Sequence, residues 1–145
     1  MTQGCQVDFY VLNSPELSAQ SLACRLAMMA WEQGHRIAVL TPSPAAASSL
    51  DQAMWDYPAG RFLPHGIGAA GSGAPVRIDC QEQDIDSDRD VVINLSDEPL
   101  ADPARFARLL EIVPGDAEHR SASRRKFSRY REQGLAPAHH KIGRT

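Results

Sequence analysis

The sequence contains no long hydrophobic run and only three cysteines, and each shortage argues against a class of protein. No apolar segment approaches the roughly 20 residues that a membrane-spanning helix needs. The first four residues, Met-Thr-Gln-Gly, lack the charged and apolar regions of a signal peptide. The cysteines include no CxxC pair, so neither a zinc cluster nor a disulfide framework is indicated. We therefore expect a cytoplasmic protein with reduced thiols and no membrane partner.

The usual motifs of catalysis and of metal binding are also missing. The five histidines form neither an HExxH motif nor a metal-ligand set, and no GxSxG segment marks a nucleophile. No pair of carboxylates has a spacing that suggests acid and base roles. Alternating aspartates in residues 81–90 resemble a calcium loop but lack its glycine and distal glutamate, so we expect a solvated loop there. The sequence thus predicts no intrinsic catalysis, no metal and no cofactor.

One nucleotide-binding signature is present in an unsuitable place. Residues 66–71, Gly-Ile-Gly-Ala-Ala-Gly, match the pattern GxGxxG letter for letter. In dinucleotide-binding proteins this motif leaves the first strand and opens a helix whose N-terminus holds the pyrophosphate. Here it follows Pro64-His65 and precedes a short strand. A flexible loop is therefore favoured over a nucleotide-dependent enzyme.

Alternating strand and helix signals predict the fold class. β-branched and apolar runs indicate strands near residues 7–12, 36–40, 76–79, 91–95 and 109–113. Helices are indicated near 16–33, 45–55 and 103–107, followed by a basic helix that Gly134 ends. This alternation is typical of an α/β protein with a parallel sheet and right-handed crossovers. We predict one α/β domain over residues 1–134 and a loosely ordered C-terminal tail over 135–145.

Charge is distributed very unevenly along the chain. Residues 119–145 carry eight basic side chains and one acidic one, a balance of +7, whereas the net charge of the whole chain is −3. The other 118 residues therefore carry −10. A basic segment on an acidic body predicts a docking site for an anionic partner.

The basic helix offers three interpretations of that site. At 100° per residue, Arg120, Arg124, Phe127 and Arg131 lie within about 60° of one another, so an aromatic ring lies inside a stripe of guanidinium groups. The helix could be solvated, with Phe127 or Tyr130 turned into the core. It could track single-stranded nucleic acid and stack a base on the ring. It could also hold carboxylates beside an apolar slot.

A second candidate surface lies in residues 50–64, where large apolar side chains such as Trp55 and Phe62 are crowded together. Tyr57 and Pro58 belong to the same segment. Such groups on an irregular segment either cover the core or form a hot spot for a partner. The residues alone favour neither interpretation.

Six segments together resemble the chi subunit family of the bacterial DNA polymerase III holoenzyme. They are Val-Asp-Phe-Tyr-Val-Leu at 7–12, Leu-Asp-Gln-Ala-Met-Trp at 50–55, Phe-Leu-Pro-His at 62–65, Asp-Val-Val-Ile-Asn-Leu-Ser at 90–96, Tyr-Arg-Glu-Gln-Gly at 130–134 and His-Lys-Ile at 140–142. No single segment is diagnostic, but six in order with matching spacing are.

The resemblance implies a single-domain three-layer sandwich, Rossmann-like but without a nucleotide site. It implies a non-catalytic adaptor in DNA replication, which binds the psi subunit of the clamp loader and the acidic, apolar-ended C-terminal tail of single-stranded DNA-binding protein, and so contacts DNA indirectly. Carried over by position, the psi-facing surface includes Trp55, Phe62, Pro64 and His65. The tail-binding pocket includes Val113, Arg120, Arg124 and Phe127. The alternative is direct binding of single-stranded nucleic acid by the basic helix.

Overall fold

A sheet of seven parallel strands forms the centre of the computed structural model, which describes residues 5–14, 17–56 and 62–142. The strands are β1 (Gln6–Leu12), β2 (Ile37–Leu40), β3 (His65–Ile67), β4 (Val76–Asp79), β5 (Val91–Asn94), β6 (Arg108–Val113) and β7 (Ala138–Ile142). Their order across the sheet is β3-β4-β2-β5-β6-β1-β7, and every neighbouring pair is parallel. The predicted α/β class with a mostly parallel sheet is confirmed.

Helices α1 (Ala19–Glu32) and α2 (Pro44–Asp56) cover one face of the sheet, and α3 (Ala117–Glu132) covers part of the other. Ser18 caps α1 by accepting a hydrogen bond from the Ser21 amide at 3.2 Å, and Asp116 caps α3 in the same way through the His119 amide. Glycines with positive φ, Gly34 and Gly134, follow the ends of these two helices. The three layers predicted by the resemblance are confirmed.

Strand β1 divides its side chains between the two faces. Phe9 and Val11 pack on the α3 side, whereas Tyr10 and Leu12 pack on the α1 side. Asp8 is almost fully buried and accepts hydrogen bonds from Arg108 of β6 at 2.7 Å and from His140 of β7 at 2.8 Å. The carboxylate therefore links the three strands at this end of the sheet.

The C-terminal tail, expected to be loosely ordered from residue 135, is corrected for residues 138–142. These residues form β7, which pairs in parallel with β1 from Asp8↔Ala138 to Leu12↔Ile142. The pairing is reinforced by His140, whose ring stacks on Tyr10 at 5.0 Å. A polar edge strand of this kind has no hydrophobic alternation, which is why the sequence gives no strand signal here.

The glycine-rich segment is not the flexible loop that its composition favours. It begins as β3 and continues into a 3₁₀ turn, Gly68–Gly71. A Cβ on Gly66 would come within 2.8 Å of the Ala70 carbonyl oxygen, so glycine is needed for this close approach. Arg89, fully buried, donates hydrogen bonds to the carbonyl oxygens of Gly71 at 2.9 Å and Ala74 at 2.7 Å. The GxGxxG match therefore serves packing in this fold.

Residues 81–90, expected to be a solvated loop, instead lie partly against the sheet. Ile85 is buried in the core on the α3 side. Asp86 accepts a hydrogen bond from Arg77 of β4 at 2.6 Å and pairs with Arg89 at 3.3 Å. The acidic segment thus covers sheet area that α3 leaves open.

Two candidate interaction surfaces

Helix α3 is attached to the sheet by a buried polar network. Glu111 of β6, with no exposed surface, accepts hydrogen bonds from Lys126 at 2.8 Å, Tyr130 at 2.6 Å and Asn94 at 2.9 Å. Burial raises the pKa of the Glu111 carboxyl, and these three donors oppose that rise. Burial and the neighbouring carboxylate likewise raise the pKa of Tyr130. The network fixes the rotation of α3, because Lys126 and Tyr130 must both face the sheet.

This rotation turns three arginines outward beside a half-buried aromatic ring. Arg120, Arg124 and Arg131 are exposed, and within residues 5–142, apart from the gaps noted above, none of their guanidinium groups has a hydrogen bond or ion pair. Phe127 lies between them at the border of the buried helix face. We call these four residues the arginine stripe. The sequence-based prediction that they share one face is confirmed.

The ring of Phe127 is held from below and from one side. Its centroid lies 5.6 Å from Phe9 of β1 and 4.8 Å from His139 of β7, and its plane is within 11° of the His139 ring. Val113 is next to Val11 in the sheet register and belongs to the same core cluster, but only 4% of it is exposed. Of the predicted tail-pocket residues, Arg120, Arg124 and Phe127 lie along α3, and Phe127 packs against the core cluster that contains Val113, which is itself largely covered. Sequence reasoning missed His139 because β7 was not predicted.

The second surface is an exposed aromatic pair at the opposite edge of the sheet. Trp55, at the end of α2, and Phe62 are 55% and 54% exposed, and their ring centroids are 5.4 Å apart. Trp55 also meets the edge of the His65 ring at 5.0 Å. Pro64 is half-buried beside them. The structure thus brings together the four residues of the predicted psi-facing surface, which we call the tryptophan patch. Tyr57 and Pro58 lie outside the described residues.

The histidine in this patch positions its neighbours. Its side chain is buried, and its Nδ1 lies 2.7 Å from the Leu63 carbonyl oxygen. Its Nε2 lies 3.1 Å from the carbonyl oxygen of Asp51 in α2 and 3.2 Å from the Asp51 carboxylate. His65 therefore connects β3 to α2 and fixes the base of the exposed aromatic pair.

The described residues contain no group of three or more histidine, cysteine, aspartate or glutamate side chains that could hold a metal ion. Within the same residues, no helix is long and apolar enough to cross a membrane. What the structure presents instead is two surfaces of different chemistry. The stripe and the patch lie near opposite edges of the seven-stranded sheet. Six gaps of about 4.8 Å between neighbouring strands make the sheet about 29 Å wide.

Comparison with known proteins decides the family. Residues 4–138 match the model of the family described as DNA polymerase III chi subunit, HolC. The chain belongs to the chi family. The resemblance seen in the six sequence segments is confirmed.

Three chi relatives are similar over nearly their whole lengths, and each is named DNA polymerase III subunit chi. The protein of Pseudomonas aeruginosa is 36% identical over 140 residues, covering 96% of this chain and 98% of that protein. The protein of Escherichia coli K12 is 30% identical, with 88% and 91% covered. The Haemophilus influenzae protein is 26% identical, with 87% and 90% covered. A solved structure, the C-terminal domain of the DEAD-box protein Dbp5, matches over 97% of this chain and 77% of that chain, with 16% identity and a TM-score of 0.36.

Proposed function

We propose that this chi-family chain is a non-catalytic adaptor of the DNA polymerase III clamp loader. In this proposal the arginine stripe binds the acidic C-terminal tail of single-stranded DNA-binding protein, and the tryptophan patch binds the psi subunit. The observation that carries the proposal is the exposure, around Phe127, of guanidinium groups that have no partner among the described residues. Membership of the chi family supports the replication context.

The stripe has the groups that an acidic, apolar-ended peptide requires. Guanidinium groups form strong bidentate bonds with carboxylates, and Phe127 offers a ring on which an apolar end residue can pack. The rest of the chain is acidic, with −10 outside residues 119–145, so an acidic peptide is attracted to this helix and repelled elsewhere. In this account Arg124 pairs with the terminal carboxylate of the tail.

Calorimetry with a synthetic tail peptide tests this role. The peptide is the C-terminus of the single-stranded DNA-binding protein from the same organism. Arg124→Ala should weaken binding by at least about 1.5 kcal/mol, the lower value for a charge-assisted hydrogen bond. Arg129→Ala is the matched control, because Arg129 is exposed on the other flank of the same helix. Equal affinities for wild type and Arg124→Ala would exclude the role.

The exposure of the tryptophan patch favours binding of a protein partner over covering of the core. Trp55 and Phe62 expose more than half of their surfaces. Leu63, which follows Phe62 and precedes β3, is fully buried, so the core at this point is filled without the two aromatic rings. Tryptophan and other aromatic residues that remain exposed on a rigid base are typical hot spots of interfaces. The position of this patch at the other edge of the sheet leaves both surfaces accessible at once.

Purified psi subunit from the same organism tests this second surface. Trp55→Ala should weaken the complex by at least about 2 kcal/mol, as hot-spot residues do. Met29→Ala is the control, since Met29 is a comparably exposed apolar side chain on α1. Loss of psi binding in the control, or unchanged binding in Trp55→Ala, would refute the assignment. Tail-peptide binding should remain normal in Trp55→Ala.

Direct binding of single-stranded nucleic acid by the same helix is the alternative function. It is favoured by the +7 balance of residues 119–145 and by the ring between the arginines. It predicts that an oligonucleotide alone binds, with an affinity that falls steeply as salt rises. The adaptor account predicts negligible binding of the bare oligonucleotide and clear binding of the tail peptide.

A further inference from the structure

Strand β7 lies beside the arginine stripe and presents two basic side chains toward it. His139 stacks on Phe127, which fixes the face to which this part of β7 directs its odd-numbered residues. Lys141, two residues further along the same strand, shares that face because side chains alternate along a strand. Its partner in the register is Val11, which packs in the core cluster under α3.

The rise per residue of α3 and that of β7 together give the position of Lys141 along the helix axis. Helix α3 connects parallel strands β6 and β7 and therefore runs antiparallel to them. From Phe127 toward the start of α3, Arg124 is about 4.5 Å away along the axis and Arg120 about 10.5 Å. From His139 toward the end of β7, Lys141 is about 6.6 Å away. Lys141 thus lies level with the interval between the two arginines.

The ammonium group of Lys141 is available for a ligand. Lys141 is exposed, and in the part of the chain that the structure describes its side chain has no hydrogen bond or ion pair. Lys141 pairs with Val11 of β1, and Val11 pairs in turn with Val113 of β6, so these three residues lie side by side across the sheet. We define the tail groove as the surface between the arginine stripe and the β7 residues His139 and Lys141.

We propose that β7 forms the second side of the tail groove, where Lys141 pairs with an acidic side chain of the docked peptide and His139 holds the Phe127 ring in position. This inference rests on the proposed function of the stripe. A peptide in the groove then meets cations from both sides, rather than from α3 alone. The arrangement favours a narrow acidic strand of peptide over a duplex, because both sides must reach the same ligand.

His139 is a positioning residue in this account. It is in contact with both Phe127 and Phe9, whose centroid lies 5.5 Å from its own. Removing it takes away the flat surface that limits the tilt of the Phe127 ring. A larger aromatic residue at the same position keeps that surface.

Calorimetry with the same tail peptide tests the inference on the full chain. Lys141→Ala should bind roughly threefold to tenfold more weakly, as expected for a partly exposed charge-assisted pair, whereas Arg129→Ala should not. Peptides in which one acidic residue at a time becomes its amide complete a double-mutant cycle. The peptide that lacks the acidic partner of Lys141 should bind wild type and Lys141→Ala with equal affinity. Additive losses for every peptide, or unchanged binding of Lys141→Ala, overturn the role of Lys141.

A second pair of variants tests His139 and separates binding from folding. His139→Ala should weaken the peptide complex, and His139→Phe should restore it, while both retain cooperative thermal unfolding. Failure of His139→Phe to restore binding overturns the positioning role. If Arg124→Ala loses binding and Lys141→Ala does not, the inference fails and the proposed function stands. If wild type does not bind the peptide, both fail.

Discussion

At the scale of single residues, Glu111 is a carboxylate held in the core by polar partners. It is fully buried and shares its two oxygens among Lys126, Tyr130 and Asn94. Glu111→Ala should lower the free energy of unfolding by about 3–5 kcal/mol, because it leaves the Lys126 ammonium buried without its counter-ion. Urea denaturation at pH 7 measures the change.

A double variant provides the control for this prediction. Glu111→Leu combined with Lys126→Met removes both charges, and an apolar pair of similar volume is often neutral or stabilising. The double variant should therefore be clearly more stable than Glu111→Ala. A loss below about 1 kcal/mol for Glu111→Ala would mean that the network contributes no more than an ordinary hydrogen bond.

Asp8 makes folding stability depend on acid pH. Burial alone would raise the pKa of its carboxyl, but hydrogen bonds from His140 and Arg108 outweigh burial and lower that pKa. The unfolded chain, with an aspartate pKa near 3.9, therefore binds the proton more readily than the folded protein does. The stabilisation is present above about pH 4 and is lost as pH falls through the lower, folded pKa.

Acid titration of the unfolding free energy checks this assignment. Asp8→Asn should be less stable than wild type at pH 7 and should lose less stability between about pH 5 and pH 2. Asp90 also has a lowered pKa: burial acts to raise it, and bonds from His35 and the Arg36 amide outweigh that effect. Some acid dependence should thus remain in Asp8→Asn. Identical pH profiles for the two proteins would argue against a stabilising role of the Asp8 pair.

At the scale of elements, β7 decides whether the tail groove has two sides. Those of its amides that point toward β1 should show hydrogen-exchange protection of at least about tenfold over an unstructured chain, since β7 is an edge strand that pairs with β1 along its whole length. The His140 ring on Tyr10 and the His140 bond to Asp8 add to this protection. Exchange at the rate of an unstructured chain at every amide of residues 138–142 would contradict the pairing.

Elements with a strong local pattern could be predicted from the sequence, and the edge strands could not. Strands β1, β2, β5 and β6 carry apolar runs because they are buried in the sheet. Strand β3 has three residues including Gly66, and β7 is polar and exposed. Both exist because a neighbouring strand offers unpaired backbone groups, which is a tertiary effect that local propensity does not contain.

In the candidate site, too, features set by the local sequence pattern could be predicted and those set by tertiary pairing could not. The helical period alone places Arg120, Arg124 and Phe127 on one face, and the structure confirms this. The stacking of His139 on Phe127 depends on pairing between residues more than 120 positions apart, Phe9 and His139, which no local pattern reveals. The coverage of Val113 likewise follows from α3 docking on β6.

At the scale of the whole molecule, the two surfaces are far enough apart for the proposed adaptor to bind two partners at once. The stripe lies near the edge of the sheet that β6, β1 and β7 form. The patch lies beside β3, which forms the opposite edge. One sheet joins them, so in the proposed function each surface binds its partner without displacing the other. The net charge of −10 outside residues 119–145 opposes the binding of polyanions by the rest of the chain.

Backbone amide chemical shifts during titration with the tail peptide test this account most directly. The account predicts perturbations in α3 from Arg120 to Arg131, in β7 around His139 and Lys141, and near Phe9, with none around Trp55 and Phe62. The same spectra should be unchanged by a bare single-stranded oligonucleotide. Peptide-induced shifts centred on the tryptophan patch, or oligonucleotide-induced shifts along the arginine stripe, would contradict the account.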